Sequence, residues 1–157
     1  MYISRDLDSR FSKREEAAVK QWFESNKTFH FMRDHPHHGT EILGGEWGVK
    51  LTDSYIKEKF MKTWQKILKD SMLWTSRTNY GADQRLLSKH IWPWAKGISI
   101  SHDSYTCQRY PNTRPYPTQR PNGPNNFVAS VVFENHTLTK ECPKACRPKN
   151  HQDWKTC

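Results

Sequence analysis

Apolar positions recur along this chain with two different periods. Between about Lys13 and Ser25 the residues Ala18, Val19, Trp22 and Phe23 fall at helical spacing. Ahead of them Ser12-x-x-Glu15 spells a capping box that starts the helix. The clearest periodic segment runs from about Asp53 to Lys69. There Ile56, Phe60, Trp64 (or Thr63), Ile67 and Leu68 share one face, and Lys57, Glu58, Lys62 and Lys66 lie away from it. A shorter helix is expected from Gly81 to His90, because Leu86, Leu87 and Ile91 pack on one side, and Pro93 stops it. Strand signals are shorter: Met1-Tyr2-Ile3 ends a strand, Thr28–Arg33 and Ile98–Ser101 alternate, and Phe127–Phe133 is apolar enough to be a buried strand. Together they predict an α/β domain with a small sheet and about three helices.

The polar interruptions are as informative. Arg33-Asp34-His35-Pro36-His37-His38-Gly39 reads as a loop, because Pro36 biases His35 away from helix. Gly44, Gly45 and Gly48 fall within five positions of an apolar run, so backbone there either approaches something closely or takes positive φ. A proline-rich stretch from Gln108 to Asn126 is extended loop. Beyond Glu134 the chain is polar and rich in Cys and Pro, an irregular tail tied down by disulfides. The expected division is therefore residues 1–133 as the domain and 134–157 as its tail.

At 157 residues the chain is long enough for one domain, burying roughly two-thirds of its unfolded surface. Twenty-five Lys and Arg against 16 Asp and Glu give a net charge of +9, which favours an anionic partner. The basic residues are scattered apart from those of Lys57–Lys69, so nucleic acid is not specifically indicated. Four cysteines do not match a C-x-x-C zinc spacing. Their even number, with sequons at Asn26-Lys27-Thr28 and Asn135-His136-Thr137, points to two disulfides in a secretory compartment, the Golgi lumen or outside the cell. No signal peptide or membrane span is visible in the sequence, so a targeting segment is expected to be absent from this chain.

Candidate chemistry concentrates in Ser4-Arg5-Asp6-Leu7-Asp8-Ser9-Arg10. Two carboxylates two residues apart at a strand tip suit one hard cation, Mg²⁺ or Mn²⁺, with open positions left for phosphate oxygens. Arg5 and Arg10 add fork-shaped donors for the same anions, or pair with nearby carboxylates instead. The alternative for Asp6 and Asp8 is a plain turn feeding a helix N-terminus. The His35-x-His37-His38 cluster invites a zinc reading, which its lack of helical i, i+4 spacing weighs against.

Taken in order, Ser-Arg-Asp-x-Asp-Ser-Arg, a helix, His30-Phe31-Met32-Arg33-Asp34-His35-Pro36 and Ile42-Leu43-Gly44-Gly45-x-Trp47-Gly48 resemble the catalytic region of a glycosyltransferase-like family of GT-A type. Asp83-Gln84-x-x-Leu87, Trp92-Pro93 and Ser101-His102-Asp103-Ser104 continue the similarity, which covers about residues 2–133. The resemblance implies a partial GT-A, Rossmann-like fold with a small mixed sheet. It also implies metal-dependent transfer of a sugar from a nucleotide-sugar donor to a glycan acceptor, with Mn²⁺ or Mg²⁺ as cofactor. Carried over, Asp6 and Asp8 are metal carboxylates and His102 a third metal or phosphate ligand, unless it is a hydrogen-bonded core histidine. Arg5, Arg10, Gly44, Gly45 and Trp47 face the donor, with the indole stacked on a sugar ring or else part of the core. For an inverting transfer Asp34 is the preferred base and Asp83 the next, although Asp83 also suits a helix cap.

In such folds the units that hold the nucleotide base precede the D-x-D pair, whereas here only five residues precede Asp6. The expectation is a fragment, the C-terminal part of a catalytic domain. The alternative function is a non-catalytic luminal or extracellular module that holds acidic glycans.

Overall fold

A computed structural model describes residues 1–75, 78–133 and 135–157. Its centre is a five-stranded mixed sheet of β1 (Tyr2–Arg5), β2 (Phe29–Arg33), β3 (Glu46–Val49), β4 (Ser99–Asp103) and β5 (Thr113–Arg114). The spatial order is β1-β3-β2-β4-β5. β3 is antiparallel to both β1 and β2, and β2, β4 and β5 run parallel. α1 (Lys13–Glu24) precedes β2. α2 (Ser54–Lys69), α3 (Ser71–Thr75), α4 (Ala82–His90) and α5 (Trp92–Ala95) form the crossover from β3 to β4.

Side chains alternate across each strand, which explains how β2 is buried along its whole length. Phe29 and Phe31, with Trp47 and Val49 of β3, join Phe60 and Ile67 of α2 and Leu86 and Leu87 of α4 in the main core. His30 and Met32 point to the opposite layer, where Trp22 of α1 stacks on His30 at 5.3 Å and Met32 packs with Ala18, Tyr116 and Val128. The α1 stripe differs from its sequence pattern. Phe23 is 64% exposed, and Arg14 and Glu15 are buried in its stead because each has an ionic partner inside the fold.

Helix boundaries follow local chemistry. The Ser12 hydroxyl accepts from the Glu15 amide, and the Asp53 carboxylate accepts from the Ile56 amide, so both long helices start where their caps place them. Pro93 does not end the helical region. It sits in the first turn of α5, where a missing N–H is harmless.

Phe127–Phe133 is not a strand. The Val128 amide is taken by a carboxylate oxygen of Asp34, Ser130 turns back onto the Phe127 carbonyl, and Ala129 has φ of 63°. One bridge, Ser9 with Val131, is what remains of strand pairing, and the Val132 amide donates to the Asp8 carbonyl. The segment therefore lies over the Asp6–Ser9 turn as a loop.

Two disulfides fasten the tail. Cys107–Cys146 joins it to the loop after β4, and Cys142–Cys157 closes it on itself. The expected start of the tail, position 134, lies outside the described residues. Among the described residues no helix is long and apolar enough to cross a membrane.

Candidate functional site

A cavity of about 550 Å³ opens where β1 ends and β3 begins. Asp6, the Gly44-Gly45 turn, Asp83 at the start of α4, the histidine loop after β2 and the 127–131 loop enclose it. It also lies just past the carboxyl end of β2, the side of a parallel pair on which open α/β sheets place their ligands.

Two adjacent glycines shape its floor. A β-carbon on Gly45 would stand 2.2 Å from Asp6 Oδ1, and one on Gly44 would stand 1.7 Å from Asp83 Oδ2. Both carboxylates therefore press against backbone that only glycine leaves open. The third glycine of the run serves packing, since a β-carbon on Gly48 would meet the Trp22 ring at 2.8 Å. Ser4 Oγ donates to the Gly44 carbonyl at 2.8 Å and ties the turn to β1.

The Asp6 carboxyl is raised above its ordinary value by partial burial first, then by the charges of Asp8 and Asp83, with Arg5 opposing them. Three acids thus converge from a strand end, its following turn and a helix start. Asp6 lines the cavity, and Asp8 stands exposed on the turn whose carbonyls hold Ser9 and Val132.

The opposite wall is imidazole. His35 Nε2 lies 3.0 Å from His136 Nε2, and the His35 ring is 4.9 Å from that of His37 and 5.4 Å from that of His38. Burial, reinforced by the neighbouring rings, brings His35 and His38 down to about 4, so both are neutral at physiological pH. Beneath them Glu46 is buried among Asp34, Asp6 and Glu15, which drives its carboxyl well above the usual range. Its Oε2 has no hydrogen-bond partner among the described residues and lies 3.5 Å from His38 Nδ1.

Other residues singled out from the sequence lie elsewhere. Asp34 is 0% exposed and does not line the cavity. Arg14 holds it at 2.8 and 2.9 Å, Arg120 at 2.6 Å, and Ser104 and the Val128 amide complete the set. These cations outweigh its burial and keep its carboxyl at about 2. A carboxylate so enclosed anchors loops and has no oxygen free for an acceptor hydroxyl.

Trp47 is 2% exposed, packed between Tyr2 and Phe60, so its indole belongs to the core and not to a sugar platform. His102 is wholly buried and both ring nitrogens are engaged, Nδ1 with His30 at 2.7 Å and Nε2 with Gln21 at 2.9 Å. It sits on β4, three strands from β1; at about 4.8 Å per strand spacing it is out of reach of a cation at Asp6. Arg5 is bound bidentately to Glu15 at 2.6 and 2.9 Å, and Arg10 is exposed. The structure thus brings Asp6, Gly44, Gly45 and Asp83 to one cavity, leaves Asp8 exposed on the adjoining turn, and separates from them Asp34, Trp47 and His102.

Glu46 and His136 are the cavity residues that sequence reasoning missed. Glu46 follows the glycine pair directly, a signal that was present, but His136 is 101 positions from His35 and only the fold brings the two rings together. Among the described residues no group of three His, Cys, Asp or Glu side chains is set to hold a metal ion. Comparison with known proteins found no matching family model, no matching curated protein and no matching solved structure.

Proposed function

We propose that this chain carries the metal-and-acceptor side of a GT-A-type glycosyltransferase site, transferring a sugar from a nucleotide-sugar donor to a carbohydrate acceptor. The observation that carries this reading is the convergence of Asp6 and Asp83 on Gly44 and Gly45 at one cavity. Hard oxygen donors with mutual repulsion, opposed by Arg5 whose guanidinium is itself bound to Glu15, fit Mg²⁺ or Mn²⁺. Such ions bind through one or two carboxylates and leave their other positions to phosphate oxygens and water, so no third protein ligand is required. Asp6 and Asp8 would hold the ion, which when bound offsets the charge that develops on the departing nucleoside diphosphate.

In an inverting transfer the acceptor hydroxyl oxygen forms the new bond to the anomeric carbon as the bond from that carbon to phosphate breaks. Its proton passes to a carboxylate. Asp83 is the base on this reading, supported by its lining the same cavity, while Asp34 has its oxygens committed to Arg14 and Arg120. Gly44 and Gly45 let donor and backbone approach, and the neutral imidazole of His38 offers a hydrogen bond to a sugar hydroxyl, while both nitrogens of His35 are taken by His136 and the His37 amide. Arg10, exposed and without an ion-pair partner among the described residues, is a cation on the D-x-D turn for a phosphate or ribose.

Calorimetric titration with UDP and GDP tests this reading. The expected result is binding that requires Mn²⁺ and is lost in Asp8→Ala. Binding of either nucleotide that is indifferent to Mn²⁺ and to Asp8→Ala would overturn it.

A further inference from the structure

At the β5 edge of the sheet a cleft of about 830 Å³ has the opposite electrostatic character. It lies between β5, the segment Pro115-Tyr116-Pro117 and the disulfide-tied residues 145–151. Lys27, Arg114, Arg147 and Lys149 line it, and among the described residues no Asp or Glu does. The acidic cavity shows the reverse, with Asp6, Glu46 and Asp83 and, among the described residues, no Lys or Arg.

The four cations differ in what they are free to do. Arg147 is committed to the tail: its guanidinium donates to the Cys142 carbonyl at 2.9 and 3.1 Å and to the Gln152 carbonyl at 2.8 Å. Lys27, Arg114 and Lys149 have no ion-pair partner among the described residues. Arg114 is felt inside the fold, where its charge helps to hold the His30 and His102 rings neutral. The walls are stiff, built of prolines and of a tail fastened through Cys107–Cys146. Three uncompensated charges thus surround a rigid cleft whose volume lies within the range of ligand sites.

We propose that this cleft binds an acidic glycan, a short run of sulfated or carboxylated sugar. The cations supply sulfate and carboxylate contacts, and Gln21 and Asn150 add side-chain amides of the kind that meet sugar hydroxyls. Two observations favour a glycan over a nucleic acid. Disulfides belong to an oxidising compartment. Of the rings in the wall, Tyr116 is 1% exposed and lies under the Arg14 guanidinium at 4.0 Å, and His151 is already stacked on Trp154 at 4.1 Å, so the cleft lacks the run of open aromatic faces on which successive bases stack. The inference does not depend on sugar transfer at the acidic cavity.

A heparin tetrasaccharide is the probe. The cleft variant Lys27→Gln/Arg114→Gln/Lys149→Gln is compared with Lys57→Gln/Lys66→Gln/Lys69→Gln on α2, which removes equal charge elsewhere. The expected result is a loss of about tenfold or more for the cleft variant and less than about threefold for the α2 variant, with melting temperatures unchanged. Equal losses, or no loss in either, would overturn the proposal. So would an oligodeoxynucleotide of matched charge that binds as tightly as heparin, or binding abolished by EDTA, which would place the heparin at the acidic cavity.

Discussion

Asp34 carries a charge that four separate segments converge to neutralise: α1 through Arg14, the loop after β4 through Ser104, the proline-rich stretch through Arg120, and the 127–131 loop through Val128. Removing it leaves two buried guanidiniums unpaired, so Asp34→Asn is expected to cost about 3–5 kcal/mol in urea unfolding. The same residue sets an acid limit. Its folded pKa of about 2 lies below the ordinary 3.8. Its stabilisation is therefore complete above pH 3.8 and lost as the pH falls toward 2. Nothing in Arg33-Asp34-His35-Pro36 distinguishes such an anchor from a catalytic base. Arg14 lies twenty residues earlier and Arg120 eighty-six later, and spacing along the chain does not report pairs at that distance. Gly44 and Gly45 were legible for the converse reason. A glycine pair inside an apolar run has few causes, and close approach is the one the fold uses.

The elements with sustained period, α1, α2 and α4, were readable because their buried faces repeat over several turns. Phe127–Phe133 was misread as a strand because its side chains suit a strand while its backbone is claimed by Asp34 and broken at Ala129. Ala129→Gly removes a β-carbon from the left-handed region and is expected to raise stability by about 1 kcal/mol, checked by thermal unfolding. The glycine floor makes an opposite prediction. Gly44→Ala drives a methyl into Asp83 and is expected to cost about 1–3 kcal/mol. Combining it with Asp83→Ala should restore most of that loss, because the clash is with the side chain and not with backbone. Equal destabilisation in both backgrounds would show that the floor is tight for another reason.

At the scale of the whole molecule the net charge of +9 conceals a separation, with free cations at the β5 cleft and carboxylates and neutral histidines at the β1–β3 cavity. His30, His35 and His38 are held neutral by burial, at about 3, 4 and 4 against an ordinary 6.5. At these three sites the unfolded chain binds more protons than the folded one below pH 6.5, which outweighs the opposing raised carboxyls of Asp6, Glu15 and Glu46, so stability is expected to fall as the pH drops from 6.5 toward 3. Urea midpoints across that window test this, and a flat profile would contradict it. The two disulfides, closing loops of 39 and 15 residues, contribute about 4 and about 3 kcal/mol on a chain-entropy estimate. Composition revealed neither the pairing nor the charge separation, since both depend on where the tail is fastened.

The central claim is that Asp6 and Asp8 form a hard-cation site at the cavity that Asp83 shares. Electron paramagnetic resonance of Mn²⁺ titrated with the protein reads that site directly, without donor or acceptor. Loss of the free-ion signal on addition of the protein, abolished in Asp6→Ala and in Asp8→Ala but retained in His102→Gln, is the predicted result. A signal that the protein does not diminish, or that all three variants diminish as the parent does, would contradict the account.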